Sequence, residues 1–213
     1  MARFRIEIIF RLSFFFSLMM VFLINLHVVN AAPSVSSGLA LSTDVQPSLL
    51  MDVSRDSYNF GLATAGTPTW GPGDSIIYIT TNSANGYTVD IKDMVPGNNS
   101  ALLHSDNSTR IPDFPADIEN PQTWSYGVSK GVGFSIFKAD TNKEAKWGTG
   151  TTYNSVDNKY AGIVEIDNAI HTSPGFKTTT DNTWITFVLD VEADQKNGSY
   201  SGSVTLSATA NLS

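Results

Sequence analysis

The sequence predicts an all-β protein: a single antiparallel β-sandwich, Ig-like or a jelly-roll variant, with long irregular surface loops and a helical signal peptide in front. Three observations carry this. Runs of alternating apolar and polar residues recur along the chain. Past the N-terminal apolar run, no window of twelve residues shows helical periodicity. Sixteen Gly and nine Pro punctuate the intervals between runs, which suits many short strands joined by turns.

The N-terminus explains itself first. Arg3, Arg5 and Arg11 precede an uncharged stretch from Leu12 to Val29 that is dense in Phe, Leu, Met and Val, and it ends in Val29-Asn30-Ala31-Ala32. Positive charge, apolar run and small-residue exit make a secretory signal. Residues 1–31 are therefore expected to be removed by a cut after Ala31, and any membrane contact is expected through this segment alone. Removal of Arg3, Arg5, Arg11 and Glu7 turns 13 basic and 20 acidic residues into 10 and 19, a net charge of −9. Nucleic acid is a poor partner for such a surface, because phosphate binding needs a basic one. The chain has no cysteine, which excludes thiol chemistry and thiolate-bound metal and requires the core to hold without disulfides. Residues 32–213 are expected to form one domain, with 32–45 as a flexible arm. After the last expected strand comes Asn211-Leu212-Ser213, and covalent attachment through a sorting signal is not expected.

The strands follow in order. Leu39–Leu41 and Ser48–Val53 are short and apolar. Ser75–Thr81 leads through Asn82-Ser83-Ala84-Asn85-Gly86 into Tyr87–Ile91, where Tyr87, Val89 and Ile91 share a face. Leu102–His104, Val132–Phe137 and Tyr160–Ile166 come next. Finally Trp184–Val191 and Tyr200–Ala210 flank Asn197-Gly198, a strong hairpin signal. Two stretches resist the pattern: 93–131, with four prolines, and 139–159, around Trp147 and Tyr153. Long irregular segments in a compact domain often carry function.

Candidate chemistry is sparse. After the signal only His104 and His171 remain, and there is no Gly-x-Ser-x-Gly elbow, so nucleophilic catalysis lacks its parts. Glu165 and Glu192 are the acids a secreted hydrolase would use, but both read as outward strand positions. Asp106, Asp113, Asp117 and Glu119 are oxygen donors in a loop, the chemistry of a structural calcium site. Trp124, Tyr126, Trp147, Tyr153 and Tyr160 lie in or beside the irregular segments. They either stack on a glycan or plug the ends of the core. Sequons stand at Asn98, Asn107, Asn197 and Asn211.

The string Ile79-Thr80-Thr81-Asn82-Ser83-Ala84-Asn85-Gly86-Tyr87-Thr88-Val89 resembles a recurring piece of secreted bacterial cell-surface proteins, V-x-T-N-A-x-x-G-Y-T-V. The stretch Gly198–Ala210 is similar to their G-x-Y-x-G-x-V-x-x-x-A final strand, which also occurs in WxL-type wall-binding and fimbrial domains. Trp124-Ser125-Tyr126-Gly127-Val128 fits the middle of the same group. No Trp-x-Leu occurs in this chain. The resemblance implies a wall, pilus or matrix component. The expected function is thus a non-enzymatic secreted surface protein, a polymerising subunit or adhesin without a cofactor. Its partners would be copies of itself, met through strand exchange by residues 36–53, or other surface proteins. A glycan-binding module is the alternative, and a secreted hydrolase the second alternative.

Overall fold

Alternate positions of two strands build the centre of the molecule. In β2 (Ser75–Thr81) every second residue is buried, among them Ile77 and Ile79, and in β3 (Tyr87–Asp93) Tyr87, Val89 and Ile91 are buried in the same rhythm. Successive side chains of a strand point to opposite faces, so each strand presents one apolar row. The computed structural model describes residues 42–95 and 101–212, together with Ala40. The signal segment, the first part of the arm, the expected strand Leu39–Leu41 apart from Ala40, and the sequon at Asn98 lie outside the described residues. Among the described residues there are twelve strands and one short 3-10 turn, Ala145–Trp147. The fold is all-β, as expected, and its sheets are antiparallel.

The first sheet has the order β1-β2-β10-β7, with β1 Leu49–Val53, β10 Lys177–Asp190 and β7 Gly131–Ala139. The second has the order β12-β3-β9, with β12 Val204–Ala210 and β9 Asn168–Ser173. The main core lies between them: Ile77 and Ile79, Tyr87, Val89 and Ile91, Phe134 and Ile136, Ile170, Ile185 and Phe187, with Trp147 inserted from the 3-10 turn. A small sheet of β4 (Leu102–His104), β5 (Arg110–Ile111) and β11 (Tyr200–Ser201) has β4 in the middle. β6 (Gln122–Thr123) pairs with β8 (Lys159–Tyr160).

Both expected hairpins are corrected. β2 and β3 lie in different sheets, and so do β10 and β12. The alternation was read correctly, but it does not say whether two rows sit side by side or face each other. Here Asn82–Gly86 carries the chain across the core. Gly86 has φ 80°, and a Cβ there would lie 1.8 Å from the Ser173 carbonyl oxygen at the end of β9. A connection packed that tightly against the second sheet delivers β3 to that sheet and not back beside β2. The expected strand Tyr160–Ile166 is also corrected: it stops at Tyr160, though Ile163 is buried.

The stretch 93–131 is not an open excursion either. Phe114 and Trp124 pack with Tyr160 and Val188 on the outer face of β7 and β10, with Trp70 against them. The sequence of β7 makes room for this lid. Val132, Phe134 and Ile136 alternate with Gly131, Gly133 and Ser135, and a Cβ on Gly133 would sit 3.1 Å from the Trp124 ring. Large residues face the cores and small ones receive the lid, so β7 is buried on both faces.

Trp147 tests the core. It is fully buried, lies 5.2 Å from the Phe134 ring and donates its indole N–H to the Ile170 carbonyl at 3.1 Å. Trp147→Ala is expected to lower unfolding free energy by about 3–5 kcal/mol, read from urea denaturation. A loss below about 1 kcal/mol would mean that the side chain does not fill the core.

Candidate functional site

An open sheet must end somewhere, and end strands carry main-chain groups that need partners. The four outer edges here end differently. The edge of β7 is closed by bridges from Asp113 to Val132 and from Ala161 to Phe134. Two carbonyls of β9 are capped by side chains, Ile170 by the Trp147 indole and Thr172 by Asn142 at 3.1 Å. On β1, the amide of Val53 is bonded to the Asp52 carboxylate at 2.8 Å.

β12 is left. It pairs with β3 from Val204–Asp93 to Ala210–Tyr87, and the flanking bonds Met94 N to Ser203 O and Asn211 N to Gly86 O fall on its odd-numbered positions. In an antiparallel ladder the intervening residues turn their amides and carbonyls away. Those residues are Val204, Leu206, Ala208 and Ala210. No described strand pairs with them on that side. Leu206 and Ala208 are only half-buried although they pack on the main core, and Val204 is 39% exposed. Across the seam the edge strand β1 shows the same half-burial at Leu49, Met51 and Val53. The two sheets therefore end side by side in an apolar seam flanked by strand edge, which is the geometry that accepts one more strand.

The residues expected to hold calcium are not brought together. Asp106 sits in the β4–β5 turn, where the Lys196 ammonium at 2.8 Å and the amides of Thr109 and Ser108 hold its carboxyl well below the usual range. Asp117 caps a turn by accepting the Asn120 amide at 2.6 Å, and Glu119 is exposed. Asp113 alone is buried, with Oδ1 accepting the Ile163 amide at 3.2 Å. Among the described residues no three His, Asp or Glu side chains gather as a metal-ion site.

The aromatic set divides. Trp124 is 4% exposed and Trp147 fully buried, so the stacking role is corrected for these two, and of the two readings they take the other, a plug of the core. Tyr126 is 55% and Tyr153 40% exposed. Tyr126 leans on Trp70 with ring centroids 5.8 Å apart. Tyr153 lies over Gly73, and its carbonyl accepts the Tyr160 hydroxyl at 3.3 Å. Trp70 was not singled out from sequence, because a Trp beside Pro and Gly reads as turn material.

Glu165 is exposed ahead of β9 and Glu192 is exposed in the turn after β10. His104 is buried against Tyr200, its Nδ1 accepting the Asp106 amide at 3.1 Å and its Nε2 lying 3.2 Å from the Asn197 carbonyl.

A polar cluster went unread in the sequence. Asp181 in β10 is 4% exposed and accepts from the Ser173 hydroxyl at 2.6 Å, the Tyr87 hydroxyl at 3.0 Å and the Thr141 hydroxyl at 3.0 Å; Lys177 lies 3.6 Å away. These groups come from four parts of the chain, β3, the Thr141 segment, β9 and β10, and no spacing announces them. Burial pushes the Tyr87 hydroxyl far above its ordinary range, so it stays a donor. Nearby, His171 is buried with neither ring nitrogen hydrogen-bonded, and desolvation lowers its pKa.

Chain architecture and edge define the class: an all-β sandwich with one unblunted seam. Among the described residues no helix is long and apolar enough to cross a membrane. In comparison with known proteins, the chain matches no family model and no curated protein.

His171 supplies a pH prediction. Its folded pKa lies below the unfolded value of about 6.5, so as pH falls below that value the unfolded chain takes up the proton first and stability is lost. In His171→Phe this loss should vanish. Urea midpoints of both proteins between pH 7 and pH 5 check it, and equal slopes would refute the assignment.

Proposed function

We propose that this chain is a non-enzymatic, exported structural subunit of a bacterial surface or extracellular matrix, and that copies associate by strand addition. The observation that carries the reading is the β12 edge beside β1, with outward-turned backbone groups and a half-covered apolar row. The occupant that fits is the arm of a second copy. Residues 39–45 place Leu39, Leu41, Thr43 and Val45 at alternate positions, the pattern a strand needs to fill that row while its polar face stays wet. Chain contacts divide the protein between Asp44 and Val45, and Val45 is 78% exposed. The signal-like N-terminus and the acidic charge support display outside the cell, and the strand and turn strings resembling surface proteins point the same way.

Two variants test it, read by negative-stain microscopy and size-exclusion chromatography of the mature protein. Deleting residues 32–45 should abolish polymers and leave a folded monomer. Ala208→Pro should do the same from the acceptor side, since that amide faces away from β3 and proline is tolerated at such edge positions. Polymers that persist in both variants would end the reading.

A second reading, glycan binding, is favoured by one observation: Tyr126 and Tyr153 are exposed, with Trp70 against the first. It predicts glycan-array binding that disappears when Tyr126→Ala and Tyr153→Ala are combined, with folding unchanged. Binding that survives the double change would dispose of it.

A further inference from the structure

Away from the seam, two carboxylates are buried in a way the fold does not balance. Asp93 ends β3, its amide donates to the Val164 carbonyl at 2.9 Å, and its Oδ1 accepts the Val95 amide at 2.8 Å. Asp113 arrives from the segment between β5 and β6, and its Oδ1 accepts the Ile163 amide. Both are thus held against the same short piece of chain, Ile163–Val164, immediately before Glu165. The place is tightly built: a Cβ on Gly162 would lie 2.2 Å from the Phe114 carbonyl oxygen and 3.0 Å from the Asp113 Cβ.

Asp93 is 3% and Asp113 8% exposed, and Oδ2 of each is buried without a hydrogen-bond partner. The charges acting on Asp113 are both negative, Asp93 and Glu165. Burying a carboxylate is costly, and leaving an oxygen bare is costlier still, unless a positive charge arrives. Burial, then its acidic neighbours, push the Asp113 carboxyl up to about 7, and burial raises Asp93 as well.

We propose that Asp93 and Asp113 together bind a divalent cation, and that calcium is the ion whose chemistry they fit. Both donors are hard carboxylate oxygens, with no imidazole or thiolate between them that would select zinc or copper. Calcium accepts a mixture of carboxylate, main-chain carbonyl and water oxygens in flexible geometry. Two carboxylates then supply the protein's charged share and other oxygens the rest; among the described residues no third His, Asp or Glu gathers with them. Exposed Glu165 adds negative potential at the rim. Of the four acids expected from sequence, only Asp113 belongs to this site; Asp93, the last residue of β3, was not singled out.

The test uses the mature chain, freed of metal with chelator and titrated with calcium chloride by calorimetry, with thermal melts alongside. One ion per chain is expected, with a raised Tm. Asp93→Asn and Asp113→Asn, which keep shape and remove charge, should each weaken binding at least about tenfold, whereas Asp106→Asn should not. The wild-type chain gives a measurement free of any folding defect. Asp113 has a raised folded pKa, so its contribution is complete below the unfolded value near 4 and is lost as pH rises through about 7. Calcium should abolish that loss. No heat and no Tm shift up to roughly millimolar calcium, the range of extracellular sites, would overturn the proposal. So would a pH-dependent stability that calcium leaves untouched, which would mean the pair merely shares a proton.

Discussion

Everything in this domain follows from the need of sheet edges to end in something other than bare backbone. A closed barrel has no such need, but two stacked sheets have four edges. The irregular parts of the chain meet most of it. Asp113 and Ala161 reach β7 by main-chain bridges, and Trp147 and Asn142 lend side-chain donors to β9. The same segments also fill space, since Trp147 completes the core and the lid around Trp124 covers the outer face of β7. The two long stretches between strands are therefore the covering that lets a short, cysteine-free sandwich keep its sheets dry. Pro112, Pro115 and Pro121 in the first of them suit this work, because a segment running across strand ends does not need a full set of amide donors.

That economy makes the seam between β1 and β12 conspicuous. β1 is short and one amide is taken by Asp52. β12 runs seven residues, with Leu206, Ser207, Ala208 and Ala210 half-buried, and no described strand pairs with its outer side. Natural edges are commonly blunted by charge, proline or a bulge, and β12 (Val204-Thr205-Leu206-Ser207-Ala208-Thr209-Ala210) contains neither charge nor proline. An edge without such protection favours pairing, and the apolar row beneath it gives the pairing direction and register.

Most of the longer strands were legible, β9 and the first half of β10 excepted, and their partners were not. Alternation at Ser75–Thr81 and Tyr87–Ile91 announced these two strands, because burial of one face leaves a period of two. Pairing is decided elsewhere, by the space under Gly86 and the reach of Asn82–Gly86, and alternation carries no information on either. Trp124 and Trp147 show the same limit. An aromatic in a loop has one composition whether the loop stands off the surface or folds into it, and here burial against Phe114, Tyr160 and Phe134 decides. Polar clusters were least legible. Asp181, Ser173, Tyr87 and Thr141 meet across two sheets, and Asp93 falls at the start of the irregular stretch 93–131 in the sequence although it ends β3 in the structure. A network drawn from distant segments has no local signal.

The unbalanced acids and the unblunted edge are not independent features. Asp93 pairs with Val204, the first residue of β12, and the next bond along the ladder runs from Met94 to Ser203. The carboxylate held at the end of β3 thus sits where the open strand begins. Repulsion between Asp93, Asp113 and Glu165 acts on that end of the ladder, and any charge that relieves it firms the strand that a neighbour would use. Strand addition asks its acceptor to be straight and ordered before the partner arrives, because the ordering cost otherwise subtracts from the pairing energy. A cation bound at Asp93 and Asp113, as proposed, would lower that cost without touching the seam itself, and ion and neighbour would then act on one strand from its two sides.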